Sequence, residues 1–277
     1  MPNLHPTAIV DRNARLADDV QVGPYSIIGP KVTIASGTVI GSHCVIENRT
    51  TIGRHNRIFH HVQLGQEPQD LKYRGEDAEL IIGNHNDLRE NVTVHIGTEN
   101  GGGSTSIGSH NLVMVNTHIA HDCHVGDHCI LSNNVMLAGH ILIDDHAVLA
   151  GAAAITHYVT IGRYAFVGGV AGVVHDCPPF MVSDGHPARP RGVNLIGLKR
   201  NKFQDTTIDL LKRAYQGLWG SKREGSMGAA LEKIEAEHGH DKVVMELIEF
   251  VRNATSSPNG RYEESKRRDD KQSTPTK

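Results

Sequence analysis

A short segment near the middle of the chain combines the residue types that acyl transfer requires. His118, His121 and Asp122 lie within five residues, and Gly139 and His140 follow 18 residues after His121 and Asp122. A neutral histidine beside a carboxylate is a suitable general base near pH 7. The backbone N–H of a glycine, with no side chain in the way, suits the oxyanion of a tetrahedral intermediate. The pattern predicts that His121 removes a proton from an attacking hydroxyl while Gly139 holds the oxyanion.

Two other interpretations of these residues stay open at this point. The chain has 19 histidines, so His121 and its neighbours also fit a set of ordinary polar residues at a turn. A zinc site is the second alternative, because His110, His128 and His146 are each 18 residues apart. Zinc requires ligand nitrogens at about 2.1 Å. His121 and His157 would stand two coil spacings apart, about 10 Å, which is too far for one ion.

The elements that position these residues follow from a six-residue repeat. A period of six fits neither an α-helix nor a continuous alternating strand, but it fits short strands joined by tight turns. Three such strands close a coil of 18 residues, and stacked coils pair as parallel β-structure about 4.8 Å apart. Aliphatic residues begin each hexad at Leu4, Val10, Leu16, Val22, Ile28, Ile34, Ile40, Ile46, Ile52, Ile58 and Leu64, then at Ile82, Leu88 and Val94, and then at every sixth residue from Ile107 to Val173.

Composition agrees with an aliphatic core and limits the possible partners. Aromatic residues make up 4% of the chain and the net charge is −3, so no global field favours nucleic acid. We expect a cytoplasmic protein without stable membrane insertion, since we find neither a signal pattern nor an apolar stretch of transmembrane length. The four cysteines each follow a hexad start by four residues, which predicts buried thiols in a reducing compartment.

These patterns predict an all-β solenoid, a parallel β-helix of hexapeptide repeats, with a C-terminal α-helical domain. The solenoid is expected over residues 1–190, with polar insertions at 70–81 and 100–106 that we interpret as loops on a binding face. Apolar residues at helical spacing predict the helical domain over 191–255. The charged, Ser- and Pro-containing residues 256–277 predict a disordered tail.

Motifs outside the aliphatic code resemble the UDP-N-acetylglucosamine O-acyltransferase family of hexapeptide-repeat enzymes, which begins lipid A synthesis in Gram-negative bacteria. The resemblance covers about residues 4–255, and most hexapeptide-repeat proteins share only the aliphatic code. The matching segments are QDLKY (69–73), RENVTVHIGT (89–98), NTHIAHDCHVG (116–126), LAGH (137–140) and GVNLIGLKR (192–200). The resemblance implies a left-handed parallel β-helix, opposite to the usual hand of parallel crossovers.

The resemblance also implies the reaction and its partners. It implies that His121 deprotonates the 3-hydroxyl of UDP-N-acetylglucosamine, which attacks a 3-hydroxyacyl thioester on acyl carrier protein. Asp122 would orient His121, and the Gly139 backbone would hold the oxyanion. The implied assembly is a homotrimer whose clefts need two chains. No metal and no bound cofactor are implied, because phosphopantetheine arrives on the carrier protein.

Further residues are assigned to substrate binding by the same resemblance. Asn194 and Arg200 would contact the nucleotide end, where a cation suits a diphosphate. Gly169 stands where family members limit acyl length, and a glycine there leaves the groove open, so we expect a long 3-hydroxyacyl chain. The other residues implied to bind the sugar nucleotide or the acyl chain are Gln69, Asp70, Leu71, Lys72, His95, His118, His140 and His157.

Two departures from the family pattern keep alternatives open. Thr156-His157 stands where the family usually has His-Gln, and Ile196 stands where it usually has an acidic residue. The first alternative is therefore an acyltransferase that acts on a different (amino-)sugar nucleotide. A carbonic-anhydrase-like metalloprotein and a purely structural solenoid are alternatives from other classes. Packing alone does not require QDLKY or GVNLIGLKR, which disfavours the structural solenoid.

Overall fold

The structure is a computed structural model that describes residues 1–221, 223 and 225–267. Through residue 193 the chain forms a left-handed parallel β-helix, whose three sheets are the faces of a triangular prism. Successive coils pair in register, so that His118 lies beside Met136 and Ile119 beside Leu137. The predicted fold class is confirmed, and residues 18 apart stack on one another in the uninterrupted coils.

Within the coils, successive strands belong to the first, second and third sheet in turn. The strands of the first sheet are Asn3–Leu4, Gln21–Val22, Val39–Ile40, Arg57–Ile58, Asp87–Leu88, Leu112–Val113, Ile130–Leu131, Val148–Leu149, Phe166–Val167, Met181–Gly185 and Ala188–Val193. Those of the second are Ile9–Val10, Ile27–Ile28, Val45–Ile46, Gln63–Gln66, Thr93–His95, His118–Ile119, Met136–Leu137, Ala154–Ile155 and Gly172–Val173. Those of the third are Arg15–Leu16, Thr33–Ile34, Arg49–Ile52, Glu79–Ile82, Ser104–Ile107, His124–Val125, Leu142–Ile143 and Thr160–Ile161.

The core of the prism is the aliphatic column that the hexads predict. Every hexad start from Val22 to Val173 is buried, and burying each such side chain is worth roughly 1.5–3 kcal/mol of transfer free energy. Leu4 is an exception at 39% exposed, because no coil lies beneath the first one. The four cysteines are free and buried, as predicted. Burial raises the pKa of the Cys123 and Cys177 thiols to about 12.

Between the sheets the chain turns at three corners, each with a column of residues at positive φ. We call the corner between the second and third sheets the dyad corner; it includes Asp122, His140 and Tyr158. The corner between the first and second sheets, with Asn116 and Asn134, is the asparagine corner. Asp, Asn and His tolerate positive φ better than other side chains. The ladder corner, between the third and first sheets, stacks the rings of His55, His85, His110, His128 and His146 at 4.8–5.0 Å.

Four α-helices follow the last coil and cover one end of the prism. Their apolar faces pack together with Phe180 and Met181 of the final coil. Arg163 on the ladder corner forms an ion pair with Glu246 in the last of these helices. The helices are α1 (Leu195–Arg200), α2 (Asp205–Trp219), α3 (Met227–His238) and α4 (Lys242–Ser256). Among the described residues, no helix is both long and apolar enough to cross a membrane.

The predicted insertions and the first domain boundary need correction. Residues 79–81 and 104–106 belong to the predicted insertions, yet they pair in register as parts of the strands Glu79–Ile82 and Ser104–Ile107 of the third sheet. Their inward residues Leu80 and Thr105 are buried, which outweighs the polar character of their neighbours. The last strand, Ala188–Val193, runs past residue 190 because it pairs antiparallel with the preceding strand.

The predicted disordered tail also needs correction as far as residue 267. Pro258–Gly260 forms a 3₁₀ turn and Tyr262–Ser265 a short helix, α5. The Tyr262 N–H donates to the Asp176 carboxylate at 2.8 Å, and Arg261 donates to the Val174 carbonyl at 3.3 Å. Composition gave no sign of these contacts, because they are polar and made with a distant coil. Residues 268–277 of the predicted tail lie outside the described residues.

Candidate active site

His121 and Asp122 form a buried dyad at the dyad corner, directly after the strand His118–Ile119. His121 Nδ1 lies 2.7 Å from Asp122 Oδ2. The two residues are 5% and 2% exposed, so the contact is shielded from solvent screening. A carboxylate at this distance accepts a hydrogen bond from Nδ1–H, which leaves Nε2 of the neutral ring as the basic nitrogen.

Asp122 is held by groups that the sequence did not single out. The Thr98 N–H donates to Oδ1 and the Thr98 hydroxyl to Oδ2, both at 2.7 Å. The Asp122 N–H donates to Thr105 Oγ1 at 2.8 Å. A Cβ on Gly101 would lie 2.0 Å from the Asp122 carboxyl carbon, so this glycine permits the close approach. The Gly-rich insertion therefore helps to hold the carboxylate in place. Its position beside the hexads is the feature of the sequence that could have revealed this role.

Gly139 lies over His121, as the 18-residue spacing predicted. The His140 N–H donates to the His121 carbonyl at 3.0 Å, which fixes the two coils against each other. A Cβ on Gly139 would lie 2.6 Å from His121 Cε1. Only a residue without a side chain leaves room for the imidazole in this position. The Gly139 N–H donates to Nδ1 of His157, on the next coil, at 3.1 Å.

His140 completes a group of three potential ligands with the dyad. Its Nδ1 lies 3.7 Å from Asp122 Oδ2, its ring meets the His121 ring edge-on, and it stacks on Tyr158 with ring centroids 4.5 Å apart. His121, Asp122 and His140 are the one cluster among the described residues whose ligand atoms come within metal-binding range of each other. Both Asp122 oxygens already accept hydrogen bonds, so an ion would have to displace them.

The histidine ladder has the geometry of packed rings. His110, His128 and His146 stack with ring centroids 4.8 Å apart and interplanar angles of 3–4°. The nitrogen lone pairs of parallel rings point along parallel planes and do not converge on a common point. The ladder therefore does not support the carbonic-anhydrase-like alternative.

His95 and His118 lie on the second sheet, on the side of the dyad toward the N-terminus. Their rings meet edge-on with centroids 4.8 Å apart, and His118 Nδ1 contacts Thr93 Oγ1 at 2.8 Å. Burial, together with the charges of His118 and His121, lowers the pKa of His95 to about 4. Burial and His121 also lower the pKa of His118. Both rings are therefore neutral at pH 7, and they line a cavity of about 640 Å³ together with Gln69.

The loop of residues 67–78 brings the QDLKY motif to the same corner. The Lys72 N–H donates to Asp70 Oδ1 at 2.9 Å, which closes a tight turn. Burial and His121 lower the pKa of His157, while the Asp70 carboxylate opposes that shift and so lies within electrostatic range. Leu71 is 95% exposed at the tip of the loop, unusual for a large apolar side chain.

The remaining predicted residues do not converge on the dyad within one chain. Gly169 lies on the asparagine corner and is exposed. Asn194 caps α1: its Oδ1 accepts the Gly197 N–H at 3.0 Å and its Nδ2 donates to the Tyr164 carbonyl on the ladder corner at 2.9 Å. Arg200 is exposed at the end of the same helix. The amide of Asn194 is therefore engaged in the fold, and Gly169 and Asn194 lie at the other two corners.

The C-terminal segment forms an unpredicted wall beside the dyad. A cavity of about 520 Å³ is lined by Asp122, His140 and Tyr158 on one side and by Lys266 and Arg267 on the other. The Arg267 guanidinium lies over the Tyr158 ring, 5.4 Å from its centroid. The dyad thus stands between two cavities, one toward the second sheet and one toward the third.

Comparisons with known proteins agree on one family. The family model of UDP N-acetylglucosamine O-acyltransferase, domain 2, matches residues 176–260. The bacterial transferase hexapeptide model (six repeats) matches residues 13–48 and 104–139. The chain is also 45% identical over 255 residues to an acyl-[acyl-carrier-protein]–UDP-N-acetylglucosamine O-acyltransferase of Thiobacillus denitrificans, covering 92% of this chain and 98% of that one.

Solved structures give the same result. The UDP-N-acetylglucosamine acyltransferase of Francisella novicida superposes with a TM-score of 0.86 at 34% identity, covering 90% of this chain and 91% of that one. The UDP-N-acetylglucosamine O-acyltransferase of Moraxella catarrhalis superposes with a TM-score of 0.84 at 40% identity, covering 89% and 95%. The likeness therefore extends over the β-helix and most of the helical end.

The contact between His121 and Asp122 predicts one ring tautomer. In the wild type we expect neutral His121 to carry its proton on Nδ1. Asp122→Asn presents an amide N–H to that nitrogen, so the proton should move to Nε2. Nitrogen-15 spectra of histidine-labelled protein measure the tautomer. Asp127→Asn is the matched control, because Asp127 accepts the Ser109 N–H at the ladder corner. An Nε2 proton in the wild type would contradict the assigned contact.

The lowered pKa of His95 predicts a pH-dependent loss of stability. The pKa of about 4 in the folded state lies below the ordinary value of 6.5, so the unfolded state binds the proton more readily. Between pH 7.5 and 4.5 the wild type should lose about 2–3 kcal/mol of unfolding free energy more than His95→Gln does. Urea denaturation at both pH values measures this difference, with exposed His5→Gln as control. Parallel losses in the wild type and His95→Gln would refute it.

Proposed function

Because the chain belongs to the UDP-N-acetylglucosamine O-acyltransferase family, we propose that it transfers a 3-hydroxyacyl group from acyl carrier protein to the 3-hydroxyl of UDP-N-acetylglucosamine. This reaction is the first step of lipid A biosynthesis. The observation that carries the proposal is the buried His121–Asp122 dyad with Gly139, which has no side chain, packed over the imidazole. An acyl carrier protein donor implies that the reaction takes place in the cytoplasm.

The proposed step uses His121 as both base and acid. Nε2 of His121 takes the proton of the sugar 3-hydroxyl as its oxygen attacks the thioester carbonyl carbon. The carbonyl electron pair becomes an oxyanion that the Gly139 N–H stabilises. Collapse of this intermediate forms the ester and breaks the C–S bond, and the proton on Nε2 passes to the leaving thiolate. Asp122 Oδ2, which lies 2.7 Å from Nδ1 and accepts a hydrogen bond from the Nδ1–H, stabilises the transient imidazolium.

The substrates supply everything else that this chemistry needs. The thioester is activated on the phosphopantetheine arm of acyl carrier protein, so the proposal includes no metal and no resident cofactor. We assign the acceptor sugar and the acyl chain to the surfaces that flank the dyad. The residues concerned are Gln69, Asp70, Leu71, Lys72, His95, His118 and His140, with Gly169 open to a long chain.

We further propose a homotrimer whose sites lie between two chains. Within one chain, Asn194 is hydrogen-bonded to the ladder corner and Arg200 ends the same short helix, whereas the dyad stands at another corner of the prism. A single sugar nucleotide reaches both groups only if the second comes from a neighbouring subunit. The 95% exposed Leu71 beside the dyad corner supports a covering partner there. Cyclic symmetry repeats the same contact three times.

The base assignment predicts a large loss of turnover in His121→Ala. Removing a positioned general base costs 10²- to 10⁴-fold, so we expect kcat to fall at least about 100-fold. The assay is acyl transfer from 3-hydroxyacyl carrier protein to UDP-N-acetylglucosamine. His128→Ala is the matched control, since His128 is a stacked corner histidine outside the site. An active His121→Ala variant refutes the assignment. An inactive wild type refutes the acceptor, and amino-sugar nucleotides are then tested because Ile196 and His157 depart from the family pattern.

A two-chain site predicts complementation between inactive variants. His121→Ala and Arg200→Ala each damage one half of the site, and each alone should lose most activity. If the halves come from different subunits, random mixed trimers restore about one quarter of the sites. The measurement is turnover after co-expression with two affinity tags, with each variant mixed with itself as control. If both residues serve one site from the same chain, no mixture recovers activity and the two-chain site is refuted.

A further inference from the structure

Two acceptors compete for the backbone N–H of Gly139. In the structure it donates to Nδ1 of His157 at 3.1 Å. In the proposed reaction it donates to the oxyanion of the tetrahedral intermediate. One N–H makes one well-aligned hydrogen bond at a time, so His157 must leave before the oxyanion can be held.

The contact belongs to a device that recurs at the corners of this β-helix. A turn between two strands leaves a backbone N–H without a strand partner, and a buried N–H of this kind is costly unless it is satisfied. A side chain 18 residues later supplies the acceptor at other corners. The Ser109 N–H donates to Asp127 at 2.6 Å, the Asp127 N–H to Asp145 at 2.8 Å, and the Ser42 N–H to His60 Nδ1 at 3.0 Å.

His157, the acceptor above Gly139, differs from the aspartate carboxylates in the strength of its hydrogen bond and in the freedom of its side chain to rotate. Hydrogen bonds to an ionised group are shorter and about twice as strong as neutral ones. The Gly139–His157 bond, at 3.1 Å, is longer than the two aspartate caps. His157 is an exposed residue whose ring is only partly covered, so the ring can rotate into solvent without leaving a buried polar group unpaired.

The electrostatic surroundings keep this acceptor neutral. Burial and His121 lower the pKa of His157, Arg261 acts in the same direction, and the Gly139 N–H and Asp70 oppose it. A neutral ring has one bare nitrogen, and Nδ1 is the one that faces Gly139. The ring therefore carries its proton on Nε2.

We propose that His157 is a displaceable cap on the oxyanion donor: it satisfies the Gly139 N–H in the resting protein and withdraws when the thioester carbonyl arrives. This inference rests on the proposed acyl transfer and adds a residue that acts through Gly139. His157 is then a positioning residue whose withdrawal precedes the chemical step. The cap keeps the corner stable without substrate, and its weakness keeps the donor available.

Three substitutions at one position separate a cap from a substrate-binding residue. His157→Ala removes the competitor, so kcat/KM for the acyl carrier substrate should rise about 2- to 10-fold, the range of one neutral hydrogen bond. His157→Asp places a charged acceptor on the N–H, as at Ser109, and kcat/KM should fall at least about 10-fold. His157→Gln keeps a neutral acceptor and should stay within about 2-fold of the wild type.

The matched controls are His60→Ala and His60→Asp, which change the same type of cap at Ser42 on the asparagine corner. Both should leave kcat/KM unchanged. The KM for UDP-N-acetylglucosamine should also stay within about 2-fold in the His157 series. A rise in that KM, or a loss of kcat/KM in His157→Ala, overturns the cap and assigns His157 to substrate binding.

Hydrogen exchange of the Gly139 amide tests the cap without turnover. His157→Ala should accelerate exchange at Gly139, and His157→Asp should slow it, whereas the His60 variants should affect only Ser42. Unchanged exchange at Gly139 overturns the cap whatever the activity. The expected exchange pattern in a protein that does not acylate its acceptor supports the cap and refutes the proposed function instead.

Discussion

In-register parallel pairing of successive coils is the interaction on which the rest of this molecule depends. Each coil donates backbone hydrogen bonds to the next, so that a residue is placed by the one 18 positions earlier in the uninterrupted coils. The aliphatic column inside holds the coils together, and the register of the strands fixes the positions of the corner residues outside. Gly139 over His121 and His140 over Asp122 are consequences of this register. The geometry of the dyad corner is therefore set by the pairing of the strands on either side of it.

The six-residue period of the sequence was sufficient to predict the coils, the core and the columns at the corners, because all three depend on local spacing. It did not predict the structure of segments in which the period is lost. Of the two residues that hold Asp122, Thr98 lies just before the insertion that the repeat does not describe, and Thr105 lies within it. The contacts of Asp176 with the C-terminal segment join residues 86 positions apart, and polar composition alone predicted disorder there. Acceptors such as His157 are visible only when side-chain orientation is known.

A triangular prism also explains why one chain brings together only part of the predicted site. Residues on one corner share a column, but residues on different corners face different directions whatever their distance in sequence. Asn194 is held at the ladder corner by its own hydrogen bonds, and Gly169 stands on the asparagine corner. In the site proposed above, family resemblance joins these residues to the dyad, and a second chain is the proposed source of the missing half.

Stability and catalysis place opposite demands on the backbone at the dyad corner. A coil is most stable when each corner N–H has a strong acceptor, as the carboxylates of Asp127 and Asp145 provide. An oxyanion donor must instead exchange its acceptor for a transient one, and a strong permanent partner would cancel its contribution. A neutral, exposed imidazole at 3.1 Å satisfies the Gly139 N–H weakly enough to be exchanged. The proposed oxyanion donor is therefore the corner N–H whose hydrogen bond to its cap is longer than those at Ser109, Asp127 and Ser42.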